Sequence, residues 1–198
     1  MASMIDLVFD VQGSRIAADY RWALWLTLRE SLPWIDGEPF VGVLGLRTGG
    51  VRDGVALLGG RANLTLRVPE CRASETRLLE GRRLELGEDP IDIGGARARP
   101  LRVASTLYAD FVTNDTERET DFVAALDEEL HSIGCACRHI CGRRRELRAG
   151  DRSVRGFAVA LHECSPAVSL LVQARGLGGQ RHLGCGVFVE HKAICGLE

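Results

Sequence analysis

The chain has 198 residues, enough for one large domain or two of about 100 residues each. Hydrophobic residues make up 45% and charged residues 26%, an ordinary globular balance, and no run approaches the roughly 18 apolar residues of a membrane span. The opening MASMIDLVFD lacks the pattern of a secretory signal, so a cytoplasmic protein with no membrane partner is expected. The net charge of −2 argues against uniform attraction to nucleic acid, so the distribution of charge decides the matter. Lys192 is the only lysine among 25 basic residues. From Arg138 to Arg155 there are seven arginines, including Arg143-Arg144-Arg145, opposed only by Glu146 and Asp151. That segment is locally basic, and its guanidinium forks suit phosphate.

In chain order, Met4 to Val11 reads as a strand, and Ala17 to Leu32 as a helix with Asp19 near its start and Pro33 at its end. Val41 to Leu46 and Val55 to Val68 read as strands divided by the Gly49-Gly50 and Asp53-Gly54 turns. Ser74 to Leu79 is a short helix, followed by strand pieces at Leu84 to Leu86 and Ile91 to Ile93. The order then repeats. Leu101 to Val112 reads as a strand, and Asp121 to Ile133 as an amphipathic helix closed by Gly134. Ala136 to Leu147 and Arg152 to Leu161 form a hairpin about Ala149-Gly150-Asp151. Ser165-Pro166 opens a helix that runs to about Arg175, and Leu183 to Val189 is the last strand. Two β-α-β-β-α-β units in series predict an α+β chain of two tandem ferredoxin-like (RRM-like) domains, 1–96 and 97–198, meeting near Gly94 to Pro100.

Seven cysteines, an odd number, read as reduced, buried thiols. Cys135, Cys137, His139 and Cys141 lie close in sequence, but no C-x-x-C knuckle or second ligand pair accompanies them, so no metal and no cofactor is expected. The sharpest motif is Gly176 to Gly186, five glycines in eleven residues around Arg181 and His182. It has neither the Lys-Ser/Thr ending of a nucleotide P-loop nor the strand-before, helix-after setting of a dinucleotide fingerprint. Phosphate of a polymer is the ligand such a loop suits, with a plain structural turn as the other reading.

The stretch Gly178-Gly179-Gln180-Arg181-His182-Leu183-Gly184-Cys185-Gly186-Val187-Phe188 resembles the signature loop of the CRISPR-associated endoribonucleases that cut precursor guide RNA within each repeat, the sixth Cas family of the RAMP superfamily. Ile5-Asp6-Leu7-Val8-Phe9, Ala18-Asp19-Tyr20, Leu32-Pro33-Trp34, Cys141-Gly142-Arg143-Arg144-Arg145 and Gly156-Phe157 follow that family in the same order. The resemblance implies cleavage of a repeat stem-loop by its own 2′-hydroxyl, leaving a 2′,3′-cyclic phosphate. It also implies product retention within an effector complex of other CRISPR proteins.

Relatives carry a catalytic histidine in or just after the first helix. Here no histidine precedes His131; Asp19-Tyr20 stands where Asp-His is expected, and Asp36 and Leu44 occupy two other such places. The resemblance then implies that Tyr20 and Arg21 orient the 2′-OH and stabilise charge, with aromatic packing at the helix start as the other reading of Tyr20. His182, in the glycine-rich loop, suits a phosphate contact or the missing proton transfer, with an exposed loop histidine as its other reading. Arg143, Arg144, Arg145, Gly178, Gly179, Gln180, Arg181, Gly184 and Gly186 are the expected RNA contacts. Trp22, Trp25 and Trp34 read as core. A nuclease, a repeat-binding subunit that no longer cuts, and a small-ligand binder of the same fold remain open.

Overall fold

The computed structural model describes residues 3–116 and 118–191; Lys192 and Cys195 lie outside them. The chain is α+β and divides into two compact units. The first holds the residues up to Pro100 together with Arg148–Arg152 and His182–Gly184, and the second holds the remainder. Among the described residues no helix is long and apolar enough to cross a membrane.

In the first unit, β1 (Met4–Gln12) lies between β6 (Asn63–Pro69) and β8 (Asp89–Pro100). With β3 (Gly42–Leu46) and β7 (Arg83–Leu86) they form a sheet in the order β3-β6-β1-β8-β7. Every recorded pairing within it is antiparallel. Leu7 and Phe9 on β1, and Leu64 and Leu66 on β6, are fully buried. Asp6 stands opposite Arg67 across β1 and β6, and the two form a bidentate pair at 2.7 and 3.0 Å. Arg67 is only 1% exposed, so this ion pair belongs to the sheet rather than to a ligand surface.

α1 (Arg21–Ser31) packs against β7 and buries Leu24, Trp25 and Leu28. Its start falls after Tyr20 rather than at Ala17, because Arg15–Ala17 is a strand, β2. β2 joins β4 (Val51–Arg52) and β5 (Val55–Leu57) in a small sheet of its own, in the order β2-β5-β4. The single run expected over Val55 to Val68 is therefore two strands, β5 and β6. The helix expected from Ser74 is one α-turn, α2 (Ala73–Thr76), between two 3₁₀ turns. Gly94 to Pro100, expected as the junction between domains, continues β8. Its backbone pairs with β1 (Val8↔Arg97, Ile5↔Pro100) although its side chains are largely exposed.

The second unit has β9 (Leu107–Val112), α3 (Glu119–Ser132), β10 (Arg138–Ala149), β11 (Arg152–His162), α4 (Pro166–Arg175) and β12 (Val189–Glu190). Its sheet runs β10-β11-β9-β12. Phe122, Leu126 and Leu130 of α3, with Val172 of α4, share a core with Leu107, Ala109, Phe157, Val159 and Leu161. Ser165 accepts from the Val168 amide at 3.3 Å with Pro166 at the first helical position, as the sequence predicts. The last strand is much shorter than expected. Arg181–Leu183 is a 3₁₀ turn and only Val189–Glu190 pairs with β9, because Gly184 and Gly186 adopt φ +84° and +64°, outside strand geometry.

Candidate active site

α1 carries Arg21, Trp25 and Arg29 at i, i+4 and i+8, which places them on one stripe of the helix. Arg21 donates through Nη1 to the Leu183 carbonyl at 2.8 Å. The His182 ring lies 4.7 Å from the Trp25 ring centroid, tilted by 43°. Arg29 sets its guanidinium 6.0 Å from the same tryptophan and bonds Asp36 at 2.8 Å. The stripe therefore gathers one imidazole, two guanidiniums and one carboxylate within the first unit. Burial lowers the His182 pKa below its ordinary 6.5; Asp36 opposes that shift and Arg29 adds to it. The imidazole is neutral near pH 7 and half-buried, a state suited to accepting a proton.

The expected residues take different places. Tyr20 is buried at 7% exposure, and its hydroxyl accepts the Leu46 amide at 2.7 Å and reaches the Leu46 carbonyl at 3.4 Å. Its phenol is engaged with the backbone of β3. Arg21 and His182 do meet at one site. Gly184 lies against Arg21: a Cβ there would overlap Arg21 Nη1 and sit 2.7 Å from the Val43 carbonyl. With its φ of +84°, Gly184→Ala is expected to cost about 1–3 kcal/mol and to displace Arg21. Thermal melting, read beside the cleavage rate, checks it; an unchanged melt and rate would remove the positioning role.

The other loop residues belong to the second unit. Gly178 donates its amide to Glu129 at 2.8 Å, and Gly186 donates to the Phe111 carbonyl at 2.7 Å. A Cβ on either glycine would overlap backbone carbonyl oxygen, that of Thr113 or of Leu177. These glycines build the loop by close approach. Gly179 is exposed with open space at its Cα, and Gln180 beside it has φ +58°. Arg181 is only 7% exposed, its guanidinium bonding the Gly186 carbonyl at 3.0 Å and the Ala174 carbonyl at 3.3 Å. It ties the end of α4 to the glycine-rich loop from inside the second unit.

On β10, Arg143 and Arg144 are exposed, whereas Arg145 is held by the Asp110 carboxylate and, at 3.3 Å, by the Asp110 carbonyl. None of the six described cysteines forms a disulfide. Burial pushes the Cys135 and Cys137 thiols up to about 11, so both stay protonated.

The sequence reading missed Trp25, Arg29 and Asp36 as site residues. The signal was available as the four-residue spacing of Arg21, Trp25 and Arg29. Trp25 is nonetheless buried, so its reading as core holds as well.

The family model described as Cas6 Crispr matches residues 5–193. This chain belongs to the Cas6 family. The resemblance read from the glycine-rich loop is thereby borne out. The CRISPR-associated endonuclease Cas6 of Myxococcus xanthus (strain DK1622) is 35% identical over 187 residues, covering 93% of this chain and 80% of that protein. A Cas6-related protein from Pyrococcus furiosus has a similar fold, with TM-score 0.69 at 12% identity over 98% of this chain and 100% of the other. Thermus thermophilus Cse3, solved bound to an RNA representing a pre-cleavage complex, matches at TM-score 0.53 and 17% identity, over 94% of this chain and 98% of that one. These two likenesses speak to fold alone, and both extend over nearly the whole chain.

Proposed function

We propose that this Cas6-family protein is an endoribonuclease that binds the CRISPR repeat stem-loop and cuts it without a metal ion. The observation that carries the reading is the neutral imidazole of His182 against Trp25, with Arg21 and Arg29 on the same helical stripe. In the proposed step the 2′-oxygen attacks the adjacent phosphorus and His182 takes the 2′-hydroxyl proton. The O2′–P bond forms, the P–O5′ bond breaks, and the 5′-oxygen leaves with the proton returned by the imidazolium. The products are a 2′,3′-cyclic phosphate and a 5′-hydroxyl. In this reading Arg21 and Arg29 are the cations that offset the charge of the phosphorane. The names of the Myxococcus and Thermus proteins support the substrate class.

The fold supports the same reading. In each unit four strands run in the spatial order second, third, first, fourth: β3-β6-β1-β8 and β10-β11-β9-β12. That order supports two tandem ferredoxin-like domains, with β8 carrying the first sheet to Pro100. Arg143, Arg144, Gly179 and Gln180 are the accessible members of the expected RNA surface. Retention of the product in a cytoplasmic effector complex with other CRISPR proteins completes the proposal.

The test is incubation of the purified protein with labelled repeat RNA in EDTA. Cleavage to a cyclic-phosphate end is the expected result. Retention without cleavage would make the protein a repeat-binding subunit. That outcome has its own motive, since Tyr20 replaces the expected histidine and its hydroxyl is already occupied.

A further inference from the structure

The second unit's sheet has one face on its helical core and one face away from it. Leu107, Ala109, Val159 and Leu161 belong to the core. Strand alternation turns their neighbours Thr106, Tyr108, Ala160 and His162 to the opposite face. Ala160 pairs directly with Tyr108, and Leu161 with Leu107, so His162 follows at the level of Thr106. An ion pair of 3.4 Å between Arg138 and Glu163 ties the start of β10 to the end of β11. At this end of the sheet lies a half-open hollow of about 410 Å³, lined among others by Ser105, Thr106, Arg138, Ile140, His162 and Glu163.

The hollow offers the groups that an unpaired nucleotide requires. Ile140 is 59% exposed on an edge strand, an apolar surface for the face of a base. His162 is a flat π-system beside it, and Arg138 supplies a cation for the phosphate. The hydroxyl of the exposed Ser105 suits a 2′-hydroxyl, the group that separates RNA from DNA. Glu163 carries a carboxylate, which accepts from the exocyclic amino group of cytosine, adenine or guanine; uracil lacks that group and offers only its ring N3–H. The volume is within the range of about 300–1,000 Å³ common to small-molecule sites. None of these residues belongs to the His182 cluster.

We propose that this hollow seats one nucleotide whose base carries an exocyclic amino group, in a single-stranded RNA segment flanking the repeat stem. The inference rests on the RNA-binding reading above and adds a second, base-selective contact to it. A nucleotide held here fixes which flanking sequence is bound, a role separate from cleavage of the strand.

The test is fluorescence anisotropy with labelled hexacytidylate and hexauridylate. Hexacytidylate is expected to bind the wild-type protein about fivefold or more tightly than hexauridylate. Ile140→Glu and His162→Ala are each expected to weaken hexacytidylate by about tenfold, within the range of one stacked base. Glu163→Gln is expected to erase the preference between the two strands. Both Ile140 and Glu163 are exposed, and a melting curve for each variant confirms folding. Wild-type affinity for hexacytidylate in both Ile140→Glu and His162→Ala overturns the inference, as does failure of the wild-type protein to bind hexacytidylate. Cleavage of a repeat hairpin by the wild-type protein is scored separately. A protein that cuts the hairpin but ignores the hexamers loses this inference and keeps its proposed function.

Discussion

His182→Ala is expected to slow single-turnover cleavage of the repeat by about 10²–10⁴-fold, the usual contribution of a positioned proton-transfer group. Repeat affinity should stay within about threefold of wild type, since a neutral imidazole adds no charge to counterion release. The pH profile carries more information than the loss of rate. Burial lowers the His182 pKa, and Asp36 and Arg29 adjust it in opposite senses. A base must be unprotonated, so the rate should be flat through neutrality and fall on acidification only below the ordinary imidazole range of about 6.5. Asp36→Asn removes the group that raises the pKa and should extend the plateau to lower pH. Arg29→Leu removes a lowering charge, moves the acid limb upward, and takes one cation from the phosphorane. The same depressed pKa has a linkage consequence. The native state binds fewer protons than the unfolded chain, so this stability is present above the unfolded value and is lost as pH falls through the folded one. Wild-type cleavage by His182→Ala, or a rate that rises on acidification, would remove the base from this scheme.

How much of this was legible in the sequence depends on which forces act locally. Ser165-Pro166, Gly134 and Gly150 are turn and cap chemistry within a few residues, and each does in the structure what its residue type dictates. The pairing of Arg97 with Val8 was not legible. A polar Arg-Ala-Arg stretch has no strand pattern, and it is extended because β1 offers its backbone partners. Val187 and Phe188 are buried without being strand, since the positive-φ glycines before them break the ladder. At the proposed site, the first helix carries its signal in the four-residue spacing of Arg21, Trp25 and Arg29. The Arg-Trp-Arg stripe carries no histidine of its own, and the imidazole beside it comes from residue 182, over 150 positions away in the chain. Tyr20, which the resemblance implies for orienting the 2′-hydroxyl, has its own hydroxyl in a backbone contact at Leu46, a partner distant in sequence.

Arg181→Ala is expected to destabilise the protein by about 3 kcal/mol, because two carbonyls lose charge-assisted bonds in a buried place. For a chain of this length that is a fall in melting temperature of about 6–12 °C. Arg181→Lys should recover only part of it, since one ammonium does not span the fork between Ala174 and Gly186. The next residue is His182, so the loosened turn should also lower the cleavage rate of whatever fraction stays folded. The decisive measurement is the salt dependence of repeat binding. An arginine that neutralises a phosphate contributes about 0.9 to the slope of log affinity against log salt, and an internal staple contributes nothing. Arg143→Ala and Arg144→Ala, at exposed positions on β10, should therefore leave melting within about 0.5 kcal/mol of wild type while each reduces the slope. Arg181→Ala should do the reverse, with a large melting shift and the slope retained. If Arg181→Ala instead melts like wild type and flattens the slope, the guanidinium turns outward to phosphate when RNA binds. Its place as the staple between α4 and the glycine-rich loop is then lost.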